Sequence, residues 1–340
     1  MKRWNEILDH QRVLDVLAQA LESDRMHHAY LFTGPPGIGK FTVAHALAAV
    51  LNCENRRAGS FAHDCGNCST CRRISERQHP DVFFIEPPKK IIKIEQIRQL
   101  QKASISAPYE GRFRVVLIDD AHTMSEEAAN ALLKTLEEPP ERMLLTLITD
   151  QPHRLLDTII SRCQRMRFGA LDEEIVADAL GELVDDDVDQ TLLPVAAGYG
   201  EGSLGRSLSM IRSGMLADRE EFLNAVFELD GSSPRAWLEL ADQLSDSSGE
   251  LEHRIDILTV FMRDLMLYQR ADSSRVVNSD LMQLLASQAP RFSLETILAT
   301  LQALMAARRR LNHHVNSTLL AEDLLARLQN PGSRGLVPTA

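Results

Sequence analysis

The sequence predicts an α/β fold, a parallel sheet flanked by helices, leading into an all-helical second half. Three observations predict it. Up to about residue 168, short apolar runs alternate with helix-spaced patterns, as parallel strands joined by crossover helices do. A glycine-rich turn ending in lysine, Gly34–Lys40, lies between the first such run and the helix pattern after it. Beyond about residue 169 the strand signals vanish and only helical periodicity remains.

Composition narrows the classes. The 340 residues are 44% hydrophobic, enough for a sizeable core, which excludes a mainly disordered chain. No apolar run approaches the ~18–20 residues of a membrane span. Met1–Glu6 runs straight into acidic, helix-patterned sequence without an apolar signal core, so a cytoplasmic location is expected. A net charge of −11 argues against wrapping nucleic acid over a large basic surface and leaves room only for local basic patches.

Residues 5–23 set Ile7, Leu8, Val13, Leu14, Leu17 and Leu21 at helical spacing, in one or two helices. His28–Thr33 reads as a buried strand, and Phe41–Leu51 as the helix after the turn. Residues 52–80 are a polar, cysteine-rich insertion. Asp81–Ile85 reads as a second strand stopped by Pro87-Pro88, and Ile94–Ile105 as an amphipathic helix. The continuous apolar run Val115–Ile118 suits a third strand buried on both faces, closed by Asp119-Asp120. Thr123-Met124-Ser125-Glu126 has the T-x-x-E form of a capping box. The helix after it carries Ala128, Leu132 and Leu136 in register and stops at Pro139-Pro140. Leu144–Thr149 and Arg165–Phe168 complete the strands.

Residues 172–212 read as short helices broken by Gly198, Gly200, Gly202 and Gly205. Helical patterns then cover Phe222–Leu229, Trp237–Leu244, Ile255–Tyr268, Leu281–Leu285, Ile297–Leu311 and Leu319–Leu328, before a tail expected to be disordered. Asp185–Asp187 reads as a solvated loop, and Arg308–Arg310 with His313-His314 as an exposed helix face.

Gly34 to Lys40 fits G-x-x-x-x-G-K in the strand-to-helix setting that a phosphate-binding loop requires. Gly34, Gly37, Gly39 and Lys40 are therefore candidate nucleotide-binding residues, with Asp119 as the Mg²⁺-organising acid. Two departures weaken the site. Phe41 stands where a Ser or Thr hydroxyl would ligate Mg²⁺, and Thr42 is rotated about 100° around the helix from that position. Asp120 stands where many ATPases have a Glu to polarise water. Weak or absent hydrolysis is expected; a slow but real ATPase remains open because Lys40 and Asp119 survive.

Four of the five cysteines are close in sequence: Cys53, then Cys65, Cys68 and Cys71 in C-x₂-C-x₂-C. In a chain expected to keep its thiols reduced, such a set closes a tetrahedral zinc site without an open position. An iron–sulfur cluster is the competitor, although the next cysteine of ferredoxin-type runs is missing. His63 and His79 read as ordinary loop histidines.

His28–Phe32 leading into Gly34–Lys40, the cysteine insertion, Asp119-Asp120-Ala121-His122, Ala129–Pro140 and Ser161-Arg162-Cys163 together resemble the bacterial DNA polymerase III clamp-loader subunits of the AAA+ class. The resemblance spans essentially the whole chain and reaches Asn316–Leu320. It implies an AAA+ P-loop domain over residues 1–168 with a zinc module at about 52–80. It also implies a helical lid over 169–214 and a helical collar over 215–328, followed by the tail 329–340.

Within the family, motor members keep a Ser/Thr after the loop lysine, a Glu after the acidic Asp, and an Arg in a lid motif. Here those positions hold Phe41, Asp120 and Gly205, the last within Gly202-Ser203-Leu204-Gly205-Arg206. The departures are consistent with the non-motor, delta-prime type. By that resemblance Arg162 is an arginine finger, reaching in trans into the ATP site of a neighbouring gamma/tau subunit and stabilising phosphoryl-transfer charge. Cys163 reads as a packing residue. Implied partners are the delta and gamma/tau subunits, with the sliding clamp and primed DNA met through the complex. The implied work is ATP-driven clamp loading within the DNA polymerase III holoenzyme, without catalysis by this chain alone. A true ATPase motor and a zinc-dependent nucleic-acid-binding module are the rival readings.

Overall fold

Five parallel strands form one sheet in the order β2–β3–β4–β1–β5: β1 (Ala29–Thr33), β2 (Val82–Ile85), β3 (Arg114–Ile118), β4 (Met143–Thr149) and β5 (Gln164–Arg167). The molecule is seen as a computed structural model that describes residues 2–55, 64–104, 106–185, 188–228, 240–241, 248–270, 272, 275–311 and 317–329. Helices α1 (Gln11–Glu22), α2 (Lys40–Asn52), α3 (Ser69–Ser75), α4 (Ile94–Ala103), α5 (Glu126–Glu137) and α6 (Asp157–Ile160) alternate with the strands.

Strand side chains point to opposite faces with period two, and here both faces are apolar. Tyr30 and Phe32 of β1, Val115 and Leu117 of β3, and Leu144 and Ile148 of β4 enter a core shared with α1 and α2. Their neighbours Ala29, Leu31, Val116, Ile118, Leu145 and Leu147 enter a second core shared with α4, α5 and α6. Burial on both faces is why the strands read as continuous apolar runs. Strand β5 buries only Met166 and presents Gln164, Arg165 and Arg167, a charged edge that discourages pairing with another chain.

Two local expectations are corrected. Helix α5 is capped by Ser125, whose hydroxyl accepts from the Ala128 amide, whereas Thr123 ends a short 3₁₀ turn and donates to the Asp120 carbonyl. The T-x-x-E spacing therefore marked the approach to the helix and not its cap. Gly198, Gly200 and Gly205 lie inside helices; only Gly202, at φ 79°, stands between them. Most of the expected helix Trp237–Leu244, along with His63, Asp186, Asp187, His313, His314, Asn316 and the tail beyond 329, lies outside the described residues.

The chain divides into two compact units, Met1–Ile175 with Gly202–Gly205, and Val176–Glu201 with Arg206–Ala340. Helices α7 (Glu173–Leu183), α8 (Leu192–Gly200), α9 (Leu204–Arg212), α10 (Arg219–Glu228), α11 (Ser248–Gln269), α12 (Met282–Gln288), α13 (Leu294–Leu311) and α14 (Ser317–Gln329) follow the sheet. No strand occurs among the described residues of the second unit. A buried polar network organises that unit. Asp264 of α11 accepts from the Val277 amide (3.1 Å), the Asn278 amide (2.8 Å) and Asn278 Nδ2 (2.7 Å). Asn278 Oδ1 in turn accepts from Tyr199 Oη (2.9 Å) and Arg219 Nε (3.2 Å). Such groups are tolerated in a core only when partnered.

Candidate functional site

Residues 34–40 turn from β1 into α2. Gly34, Gly37 and Gly39 adopt φ of 152°, 71° and 98°, and a Cβ on Gly34 would stand 2.5 Å from the Phe168 carbonyl oxygen. A nucleotide loop holds out its amides and its lysine to phosphate. Here Lys40 folds back instead. Its Nζ donates to the Gly34 carbonyl (2.8 Å) and to that of Pro35, and the residue is only 6% exposed. The next carbonyls are also taken: Pro36 O by Ser203 Oγ (2.8 Å), Gly37 O by the Gly205 amide (2.9 Å) and Ile38 O by His10 Nε2 (2.7 Å). The loop is tied into the chain's own fabric.

Position 205 completes that closure. A Cβ there would come within 3.0 Å of Gly37 Cα, so in this arrangement a larger side chain at 205 has no room. The adjacent Arg206 pairs with Glu201 (3.1 Å) and Asp256 (2.7 Å). Asp119 and Asp120 follow β3, and Asp150 follows β4. Burial lowers the Lys40 pKa, against the favourable charges of Asp150, Asp119 and Asp120, and burial raises that of Asp119. Asp120, His122 and Asp150 offer ligand atoms within 4.8 Å of one another, but His122 Nδ1 is tied to Thr149 Oγ1 at 3.0 Å.

Phe41 has a structural occupation. The Arg77 guanidinium lies 5.0 Å from the Phe41 ring centroid and 5.0 Å from that of Phe84 on β2, while Arg77 Nη1 donates to Glu86 (2.7 Å). His45 of α2 stacks beside both rings. Phe41 thus joins α2 to β2 and to the segment after α3. Sequence reading missed Arg77, because nothing in its local sequence announces a stack formed across the fold.

Arg162 follows α6 in the first unit and is 36% exposed. Its Nη1 donates to the Thr158 carbonyl (3.0 Å) and its Nη2 to Glu137 Oε1 (2.8 Å). Cys163 packs against the second core, and burial pushes its thiol up to about 12, far from a nucleophile's range. The loop residues and Arg162 thus make separate constellations, Lys40 held by loop carbonyls and Arg162 by Thr158 and Glu137.

Cys53, Cys65, Cys68 and Cys71 converge, all four Sγ atoms lying within 4.8 Å of one another. The amides of Cys68 and Cys71 each donate to the preceding cysteine sulfur at 3.3 Å, and Asn55 Nδ2 donates to Cys65 Sγ at 3.4 Å. Burial works to raise Cys65, yet the amides of Asn67 and Cys68 outweigh it and bring that thiol down to about 6. Four thiols so placed could hold one tetrahedral ion, for which Zn–S bonds of about 2.3 Å set sulfurs about 3.8 Å apart. Glu54, unremarked in sequence, braces the module by accepting from Ser69 Oγ (2.7 Å) and Thr70 Oγ1 (2.8 Å). His79 hydrogen-bonds through Nδ1 to the Asp81 amide and stands away from the four thiols as a fold residue.

Comparison with known proteins gives this arrangement a family. Residues 9–172 match the model for DNA polymerase III, delta subunit, and residues 213–330 match the model for its C-terminal part. DNA polymerase III subunit delta-prime of Bacillus subtilis (strain 168) is 31% identical over 331 residues, covering 96% of this chain and 98% of that protein. The chain belongs to the DNA polymerase III delta-prime family. Subunit tau of Escherichia coli (strain K12) is 37% identical over 208 residues, 60% of this chain, and the aligned part spans only 32% of tau. Among solved structures, a gamma subunit-related protein from Thermotoga maritima aligns with a TM-score of 0.47 and 18% identity, covering 93% of this chain and 98% of that one. Family membership makes the chain a delta-prime-like clamp-loader subunit of DNA polymerase III. The expected family and fold are borne out. No helix among the described residues is long and apolar enough to cross a membrane.

Proposed function

We propose that this chain is a non-motor subunit that supports ATP-driven loading of the sliding clamp onto primed DNA, in the cytoplasm, beside delta and gamma/tau subunits. Its own loop binds no working nucleotide. Arg162 serves the ATP site of a neighbouring gamma/tau subunit, where a guanidinium, charged at any physiological pH, stabilises charge spreading over the transferred phosphoryl group. The observation that carries this reading is the contrast between two sites. Lys40 Nζ is held by the Gly34 and Pro35 carbonyls and Phe41 offers no hydroxyl for Mg²⁺, whereas Arg162 lies at the surface, about a third exposed, beside Glu137. The residues of the nucleotide site survive as a strut. Residues 1–168, 169–214 and 215–328 act as P-loop platform, lid and oligomerising collar.

Cys53, Cys65, Cys68 and Cys71 hold one structural zinc ion; the closeness of the sulfurs suits a single ion better than a cluster whose thiolates bind separate irons. Bound there, the ion would cross-link the end of α2 to α3 and supply no chemistry.

Nucleotide binding to the purified chain, followed by equilibrium dialysis with Mg-ATP, tests the first half. No binding at millimolar nucleotide is expected; saturable binding with turnover lost in Lys40→Ala would make the chain a motor.

A further inference from the structure

Glu137 and Arg162 are twenty-five positions apart in sequence, and the fold brings them together on rigid supports. Glu137 is the last residue of α5, whose Leu132 and Leu136 are buried in the second core, and Pro139-Pro140 ends the helix just beyond. Arg162 follows α6, whose Ile159 is buried in the same core, with Ile160 and Cys163 packed against it. Both backbones are therefore fixed by one hydrophobic cluster. Between them the guanidinium is held on two edges, by Glu137 Oε1 at 2.8 Å and by the Thr158 carbonyl at 3.0 Å, with Ser161 Oγ at 3.5 Å.

An ion pair this exposed contributes little to folding. Its effect lies in orientation. A free arginine explores many rotamers, and a finger that must meet a phosphoryl group loses that freedom in the transition state. We propose that Glu137 is a positioning residue for Arg162, holding the fork in the conformation that a neighbouring subunit's nucleotide meets. The inference rests on the finger reading above. Of the five N–H donors of Arg162, the contacts to Thr158, Ser161 and Glu137 use three, which leaves two for phosphate oxygens.

The test is steady-state ATPase of the reconstituted clamp loader with DNA and clamp, comparing wild type, Glu137→Ala, Glu137→Gln, Arg162→Ala and the double variant Glu137→Ala/Arg162→Ala. Assembly is checked by gel filtration. Glu137→Ala is expected to lower kcat about tenfold at unchanged KM, as misplacement of a catalytic group does. Gln, which keeps the acceptor oxygen, should recover most of the rate. The double variant should turn over at the rate of Arg162→Ala alone, because Glu137 acts only through the finger. If Arg162→Ala lowers kcat while Glu137→Ala leaves it unchanged, or if the two losses multiply, the positioning role is overturned and the finger stands. If Arg162→Ala changes nothing, the finger reading falls and Glu137 with it.

Discussion

At Phe41 an aromatic ring stands where a phosphate-binding loop would carry a hydroxyl, and it stacks under Arg77. Replacing it with Thr restores the hydroxyl but not the site, because Lys40 remains bonded to Gly34 and Pro35 and Gly205 still abuts Gly37. Phe41→Thr is expected to leave Mg-ATP turnover of the isolated chain undetectable and to lower stability by about 1–2 kcal/mol through lost ring packing, measured by urea unfolding. Cysteine chemistry gives a second residue-scale expectation. Metal analysis should find about one zinc per chain, and Cys71→Ser should lose it together with several degrees of Tm; full stability without metal would argue against a structural ion. The substituted loop position and the cysteine set were legible because each follows from spacing along the chain, whereas the Arg77 stack was not. The closure of the loop was not, since its bonds come from residues as distant as His10 and Ser203.

Elements were read well where periodicity or proline marks them. Strands β1, β3 and β4 are buried on both faces, and α5 stops before Pro139-Pro140 as expected. Caps were read less well, since Thr123 and Ser125 both precede acidic residues and only backbone geometry chooses between them. Ser125→Ala should destabilise by about 1 kcal/mol and Thr123→Ala by less, compared in the same unfolding assay. A further element-scale prediction concerns Asp81, fully buried just before β2. It accepts the amides of Tyr109 (2.7 Å), Glu110 (2.9 Å) and Gly111 (2.8 Å) and pairs with Arg114 (3.1 Å). Burial would raise its pKa, but these donors outweigh burial and hold it below the ordinary aspartate value. A depressed native pKa stabilises the fold fully above the unfolded value of about 3.9, and that contribution is lost as pH falls through the native value. Wild type should therefore lose stability below about pH 4. Asp81→Ala should be about 3–5 kcal/mol weaker at neutral pH, because Arg114 is left buried and unpaired, and should show a shallower acid dependence.

For the whole molecule, sequence patterning already separated a sheet-bearing half from a helical half, because strand runs cease after residue 168. The network joining Tyr199, Arg219, Asp264 and Asn278 was invisible, as isolated polar letters in helical sequence carry no sign of their partners. The proposed division of labour rests on two features of the first unit: a loop lysine bound by loop carbonyls, and Arg162 held by Glu137 and Thr158 on a hydrophobic core. The most direct measurement compares the DNA- and clamp-stimulated ATPase of the reconstituted complex carrying wild-type chain or Arg162→Ala, with assembly verified in both. An intact complex whose turnover falls when Arg162 is removed is expected; an intact complex with unchanged turnover would contradict the finger role.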